Sequence, residues 1–544
     1  MNTSRILYLM CASLLPFHVG AESPGAMPQP SVEQLKRVQE RIAQQEDEIK
    51  KLENSIQQEK ALLERAMQSV PTVEATGNGA APLVPAKSTA QVPPSGGSVQ
   101  HETTATPSPL SIRLGNSTLT PLGFMDATYF TRTTNVGSGI GTNFAGIPYG
   151  NAAAGHIAET SFSAQNSRVG FRVDSNFLGW KVLGYLESDF LFNNNAGSFQ
   201  ITSNSAGFRL RNYFVDVQRN GFEMLGGQDW TFLTPNRKGL SPIPSDIFYS
   251  QNMDTNYQLG LTWSRQPQFR FIAHPNENVA FGVSFENPQQ YIGGGAGAGT
   301  VVLPAALASL GSQFQSGGSA TGVPNLFPDI IPKVAIEGHP GGRTMHVEAA
   351  GLIRGFKDYL QAPAAASAVP GSHTAIGYGG AINSNLEIFK NIRLIENAFF
   401  SDGGGRYIFG VGPDVVIRTN GTVSPVHSYS TVDGFEAQVS PNSLLAAYYG
   451  GAYIGRDVVV DANGTRAGYG FSPASATASP AQNRCVQEIT LDWVQTLWKN
   501  PNYGALSLIN QYSYLWREPW AVASGTPKQA HTNMIWINLR YTLP

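Results

Sequence analysis

The stretch Arg168-Val169-Gly170-Phe171-Arg172-Val173-Asp174 alternates apolar residues with polar or small ones at a period of two. Val169, Phe171 and Val173 share one face; Arg168, Gly170, Arg172 and Asp174 share the other. A β-strand sorts a sequence in this way because successive side chains point to opposite sides of the sheet. The pattern recurs. Val182, Gly184, Leu186 and Phe190 alternate with Lys181, Tyr185, Glu187 and Asp189. Near the C-terminus, Ile535, Ile537, Leu539 and Tyr541 alternate with Trp536, Asn538, Arg540 and Thr542. Such alternation fits either a half-buried sheet or a membrane barrel with an apolar exterior and a polar lumen.

Connection lengths separate the two. Sixteen segments of this kind can be placed from 118–132 to 531–543, including 160–174, 206–218, 257–273 and 391–402. Short connections rich in Gly, Asn, Pro and Ser, such as 175–179, 219–221 and 440–443, alternate without a break with long ones, such as 133–159, 235–256, 288–330 and 403–427. A sandwich has no reason to put every long loop at one end, whereas an outer-membrane barrel has short periplasmic turns and long external loops. The expected class is all-β: a 16-stranded antiparallel transmembrane β-barrel over 112–544, preceded by an N-terminal α-helical coiled coil.

Composition agrees. Only 14% of the 544 residues are charged, and 36 Lys+Arg against 38 Asp+Glu leave a net of −2, so no polybasic surface for nucleic acid is implied. The two cysteines, Cys11 and Cys485, make no disulfide framework. Residues 1–21 have the shape of a signal peptide, with Arg5, an apolar centre from Ile6 to Phe17, and Val19-Gly20-Ala21 at the cut. From Ser31 to Ser69 a heptad places Leu35, Ile42, Ile49, Ile56 and Leu63 in one seam position, so a periplasmic coiled coil that pairs with further copies is expected. The segment 70–111, rich in Pro, Ala, Ser and Thr, reads as a linker.

Several short motifs then follow in order: Ser163-Ala164-Gln165-Asn166-Ser167-Arg168, Arg209-Leu210-Arg211-Asn212-Tyr213, Gly227-Gln228-Asp229-Trp230-Thr231 and Arg265-Gln266-Pro267-Gln268-Phe269-Arg270. In these, and in its layout of signal, coiled coil, linker and barrel, the chain resembles the DcaP-like outer-membrane porins. The resemblance covers most of the chain after the signal. It implies a trimeric sixteen-stranded channel in the bacterial outer membrane, a periplasmic coiled coil, and a leaning towards small anionic solutes, including dicarboxylates. Lipid bilayer and lipopolysaccharide would be its surroundings.

A diffusion channel needs charge placed where an ion sheds water, not reaction chemistry. The alternation turns Arg168 and Arg172 inward, and Phe208 and Leu210 pointing out would turn Arg209 and Arg211 in. Asp216 and Gln218 on that same strand obey the opposite parity. Arg270, Arg354 and Arg540 are further inward candidates. Together these seven arginines are expected to line the pore and bind anionic solutes through paired donors. The competing reading pairs each of them with Asp or Glu on a neighbouring strand. His346 and Glu348 share a strand face and are expected to make a lumen hydrogen bond, not a metal site. No His-Glu-x-x-His, paired-Cys or Gly-x-Ser-x-Gly motif occurs, so no enzyme, metal or cofactor is expected. The loop 235–256 is the candidate for folding into the bore. The alternative function is a structural tether, in which the coiled coil reaches towards peptidoglycan and the barrel only anchors it.

Overall fold

The computed structural model describes residues 108–192, 206–317, 322–361, 368–461, 464–471 and 482–544, together with Lys36, Asp47, Lys50 and Lys51, which are helical. The signal peptide, the rest of the heptad region and all but the last residues of the linker lie outside the described residues.

Sixteen strands form the wall. They are β1 (Ser117–Arg132), β2 (Glu159–Ser163 continued by Arg168–Phe177), β3 (Trp180–Phe192) and β4 (Gly207–Arg219). Next come β5 (Phe222–Trp230), β6 (Arg265–Asn276), β7 (Val279–Glu286) and β8 (Asp329–Gly338). β9 (Met345–Leu360), β10 (Gly371–Phe389), β11 (Ile392–Asp402) and β12 (His427–Ser440) follow. β13 (Ser443–Ile454), β14 (Asn483–Asn500), β15 (Gly504–Pro519) and β16 (Ala530–Thr542) complete it. Each strand pairs antiparallel with the next, and β16 pairs back onto β1, from Phe124 opposite Thr542 to Arg132 opposite Met534. The ring is closed, so no sheet edge is left unpaired.

The alternation is carried out in space. On the outside stand Phe162, Phe171, Met125 and Phe269, the last 63% exposed, while inward-facing Leu225, Arg354 and Glu488 are fully buried. Short turns of two to six residues close one end. Asn220-Gly221 between β4 and β5 has φ of +51° and +75°, the left-handed pair that a twisted hairpin requires.

Three departures from the sequence reading matter. β2 is not continuous over 160–174: Ser163 faces Thr128 and Arg168 faces Phe124, so four residues of β2 oppose three of β1. The inward parity changes across this break, from odd to even positions, and Asn166 donates to Asp126 at 2.7 Å. β6 begins at Arg265 instead of 257, because Tyr257 at φ +59° and Gly260 at φ +92° take the chain out of the extended region. In β4, Asn212 faces Glu187 but Leu210 faces Ser188, which leaves Arg211 as a bulged extra residue. A bulge reverses the parity of everything beyond it. Arg209 and Arg211 therefore point inward together with Asn212, Phe214 and Asp216, and the two conflicting parities of the sequence are both correct.

Candidate functional site

The bore is crossed by the segment between β5 and β6, residues 231–264. It is pinned to the wall on several sides. Arg237 donates both guanidinium arms to Glu436 on β12, at 2.6 and 2.8 Å. The Asn236 amide donates to Glu348 on β9, and Lys333 on β8 bridges Glu348 at 2.8 Å and the Thr234 carbonyl at 2.8 Å. The Asp254 amide donates to Gln511 on β15 and the Leu259 amide to Glu488 on β14, each at 2.9 Å. The loop touches β12 and β13 so closely that a side chain at Gly260 would collide with the carbonyl oxygens of Thr431 and Gly451. Tyr249, Tyr257 and Trp263 of the loop pack against one another and against Trp230 at the end of β5, with ring centroids 5.0–6.2 Å apart. The sequence-based candidate for an inward loop is thus inside the barrel.

A cluster of arginines meets this loop. On β4, Arg209 holds Asp189 of β3 through both its Nε and Nη2 donors, at 2.9 and 2.7 Å. Arg211 bridges Glu187 and Asp189, each at 2.7 Å. Arg168 reaches Glu187 at 3.5 Å. The Tyr257 hydroxyl accepts from Arg168 at 3.1 Å and from Arg211 at 3.3 Å. Burial pushes this phenol up, but the two guanidinium groups outweigh it and hold its pKa below the ordinary tyrosine value. At the start of β6, the Arg265 guanidinium lies 5.0 Å from the centre of the Trp230 ring, and its Nη1 finds no hydrogen-bond partner among the described residues. The cluster holds four guanidinium groups, Arg168, Arg209, Arg211 and Arg265, against the two carboxylates Glu187 and Asp189.

The other arginines singled out from the sequence also face inward, each beside a carboxylate. Arg172 pairs with Asp174 at 2.7 Å on β2. Arg270 lies 3.3 Å from Asp229 across β5 and β6. Arg354 joins Asp329 at 3.0 Å and Asp414 at 2.8 Å, which anchors the loop between β11 and β12. Arg540 grips Asp126 at 2.7 Å and stacks 4.0 Å from the Phe124 ring centre, a ring that Arg168 also approaches at 5.2 Å. The structure therefore brings Arg168, Arg209 and Arg211 together, sets Arg540 beside them, and leaves Arg172, Arg270 and Arg354 in pairs of their own. His346 hydrogen-bonds Glu348 at 3.1 Å and Glu337 at 2.6 Å. No group of three or more His, Cys, Asp or Glu side chains arranged to hold a metal occurs among the described residues.

Sequence reasoning missed Arg265, Trp230 and Tyr257. By strict alternation from Arg270, Arg265 belongs on the outer face. The β4–β5 ladder ends at Tyr213 opposite Gln228, and beyond it Trp230 turns under the inserted loop with Arg265 beside it. Nothing local in the sequence signals that turn.

No family model matches the chain, and no curated protein matches it. Among solved structures, the outer membrane channel DcaP of Acinetobacter baumannii superposes with a TM-score of 0.53 at 16% identity, covering 79% of this chain and 99% of that one. The chain shares the barrel fold of that structure. Weaker likenesses are to OprB of Pseudomonas putida (TM-score 0.42, 10% identity, 78% and 94% covered) and to OmpT of Vibrio cholerae (0.41, 9%, 79% and 99%).

Proposed function

We propose that the protein is an outer-membrane porin through which small hydrophilic solutes diffuse passively, with a preference for anions of the dicarboxylate type. One observation carries the reading. A closed wall, apolar outside, encloses a lumen where four guanidinium groups outnumber their two carboxylates at the point where an inserted loop narrows the path. On this side of the constriction the excess of guanidinium groups raises the local concentration of anions, and guanidinium forks suit carboxylates bidentately. Arg209 is the most accessible member, its side chain 35% exposed, and so meets a solute first. The remaining inward arginines, Arg172, Arg270, Arg354 and Arg540, shape the lining around it. The protein sits in lipid with lipopolysaccharide outside, its heptad region on the periplasmic side, and assembles as a trimer. Reversal potentials across a planar bilayer under a salt gradient test the reading. Anion preference is expected, and it should fall when Arg209 and Arg265 are both replaced by Gln; an unchanged preference assigns selectivity elsewhere.

A second reading, a barrel that anchors a tether towards the cell wall, draws support from the density of the bore, where Tyr257, Leu259, Phe248 and Tyr407 are buried to 1% exposure or less. Deletion of residues 31–106 separates the two. Conductance that survives the deletion supports the channel, whereas an envelope defect from the deletion with no conductance in either form supports the tether.

A further inference from the structure

Most of the outer wall is made of large apolar side chains, as acyl chains require. Phe171, Phe208, Phe222, Phe269, Phe281 and Ile336 are examples from β2 to β8. Across β10 to β14 the middle of the wall differs. Glu396 on β11 points outward, directly opposite Ser384 of β10 on one side and Asp433 of β12 on the other. Asp433 in turn faces Tyr449 of β13, whose hydroxyl donates to Gln487 of β14 at 2.8 Å. The Thr431 hydroxyl donates to both Asp433 oxygens, at 3.1 and 2.9 Å. Neither Glu396 nor Asp433 forms an ion pair with Lys, Arg or His among the described residues.

These two carboxylates are not at the rim. Along the same face they are flanked by Leu394 and Phe400 on β11 and by Tyr429 and Phe435 on β12, which are themselves apolar-band residues. Other charged groups on the outer face, such as Arg219, Arg484, Lys499 and Glu518, stand at or next to strand ends, where headgroups and water are within reach. Charge on the lipid face destabilises a barrel most at mid-height, and two like charges side by side compound the cost. Around the pair the wall is also low: Gly380, Ala398, Ala447 and Gly451 replace the bulky residues found elsewhere. Lipid fits neither feature. A protein surface fits both, since small residues admit close approach and a partner's donors can satisfy the carboxylates.

We infer that the outward face of β10–β14, centred on Glu396 and Asp433, is where a second copy of this chain docks. The inference rests on the reading of the wall as lipid-facing. The occupant is a second copy because the chain itself carries a reason to gather copies: the heptad at 31–69 predicts self-association and is joined to the barrel within the same polypeptide. A ring built on such a face buries the two carboxylates against the neighbouring wall and leaves β2–β8 to the lipid.

The test uses the full-length protein extracted in mild detergent. Native mass spectrometry is expected to give a multiple of the chain mass for the unaltered protein and for the control Phe281→Trp. Ala398→Trp and Ala447→Trp should give mostly single chains, because an added indole is harmless against lipid but collides with a docked wall. Gel mobility that still shifts on boiling shows that the barrel itself is folded. A spin label at Ala398→Cys in a Cys485→Ser background, in vesicles, should be at least threefold less accessible to dissolved oxygen than one at Phe281→Cys. Multimers that survive both Trp variants, a mass of one chain in the unaltered protein, a complex with a different protein, or equal oxygen accessibility at the two labels each overturns the inference. A label at position 281 that oxygen does not reach overturns the lipid-facing reading itself, which single-channel recording checks separately.

Discussion

The two sides of the bore hold charge in different ways. On β2, β3 and β4, Arg168, Arg209 and Arg211 are laced to Glu187 and Asp189 by charge-assisted hydrogen bonds, and Arg265 at the start of β6 closes the group. On β12 and β14 the carboxylates dominate. Glu436 is satisfied by Arg237, which the loop brings in, while Glu488 accepts the Leu259 amide and has no cation beside it among the described residues. Asp492, 3% exposed, has neither oxygen hydrogen-bonded among the described residues. The inserted loop joins the two sides within three residues: Tyr257 hydroxyl on Arg168 and Arg211, Leu259 amide on Glu488. A wall that supplies both signs of charge pairs internally, whereas a wall with one sign borrows its partners from the loop. The loop is therefore held by electrostatics as much as by its aromatic stack.

The sharpest way to break this contrast is to remove one charge from the paired wall. Asp189→Asn strips Arg209 and Arg211 of a shared partner in a buried site and is expected to cost about 3–5 kcal/mol, the usual penalty for orphaning a buried charge. Urea unfolding in lipid vesicles measures it, and the reversal potential should move towards anions in the same variant. A loss below about 1 kcal/mol would mean that water reaches the cluster. Tyr257→Phe removes an acceptor shared by two cations and should cost about 1.5–3 kcal/mol. Its more telling readout is single-channel noise, which should rise as the loop loses its hold on the basic side; an unchanged trace would place the hold elsewhere. The smallest effect is expected on the other wall. Glu488→Gln keeps an acceptor for the Leu259 amide and removes a buried carboxyl group that has no cation beside it among the described residues, so stability should change by no more than about 1 kcal/mol in the same urea assay. A loss as large as that of Asp189→Asn would erase the distinction between the walls.

Much of this architecture is legible without coordinates, for a local reason. Period-two alternation and turn chemistry are written within a few residues of each other, so the number of strands and the short turns between them follow from runs such as Val169, Phe171 and Val173 and from pairs such as Asn220-Gly221. The inward arginines were legible for the same reason. Their partners were not, because Asp189 and Arg209 meet only once β3 and β4 are in register, and register across a loop is a long-range property.

What the sequence by itself determined is the closed sixteen-strand wall, with its greasy and polar faces, since each strand states its own two sides. Tertiary structure alone decided the rest. The bulge at Arg211 and the break at 164–167 each insert one residue, which changes which side chains enter the bore without leaving a mark in composition. Only the folded chain could seat residues 231–264 across the lumen, because the loop's anchors, Glu436, Glu488 and Gln511, lie 199 to 257 residues further along the chain.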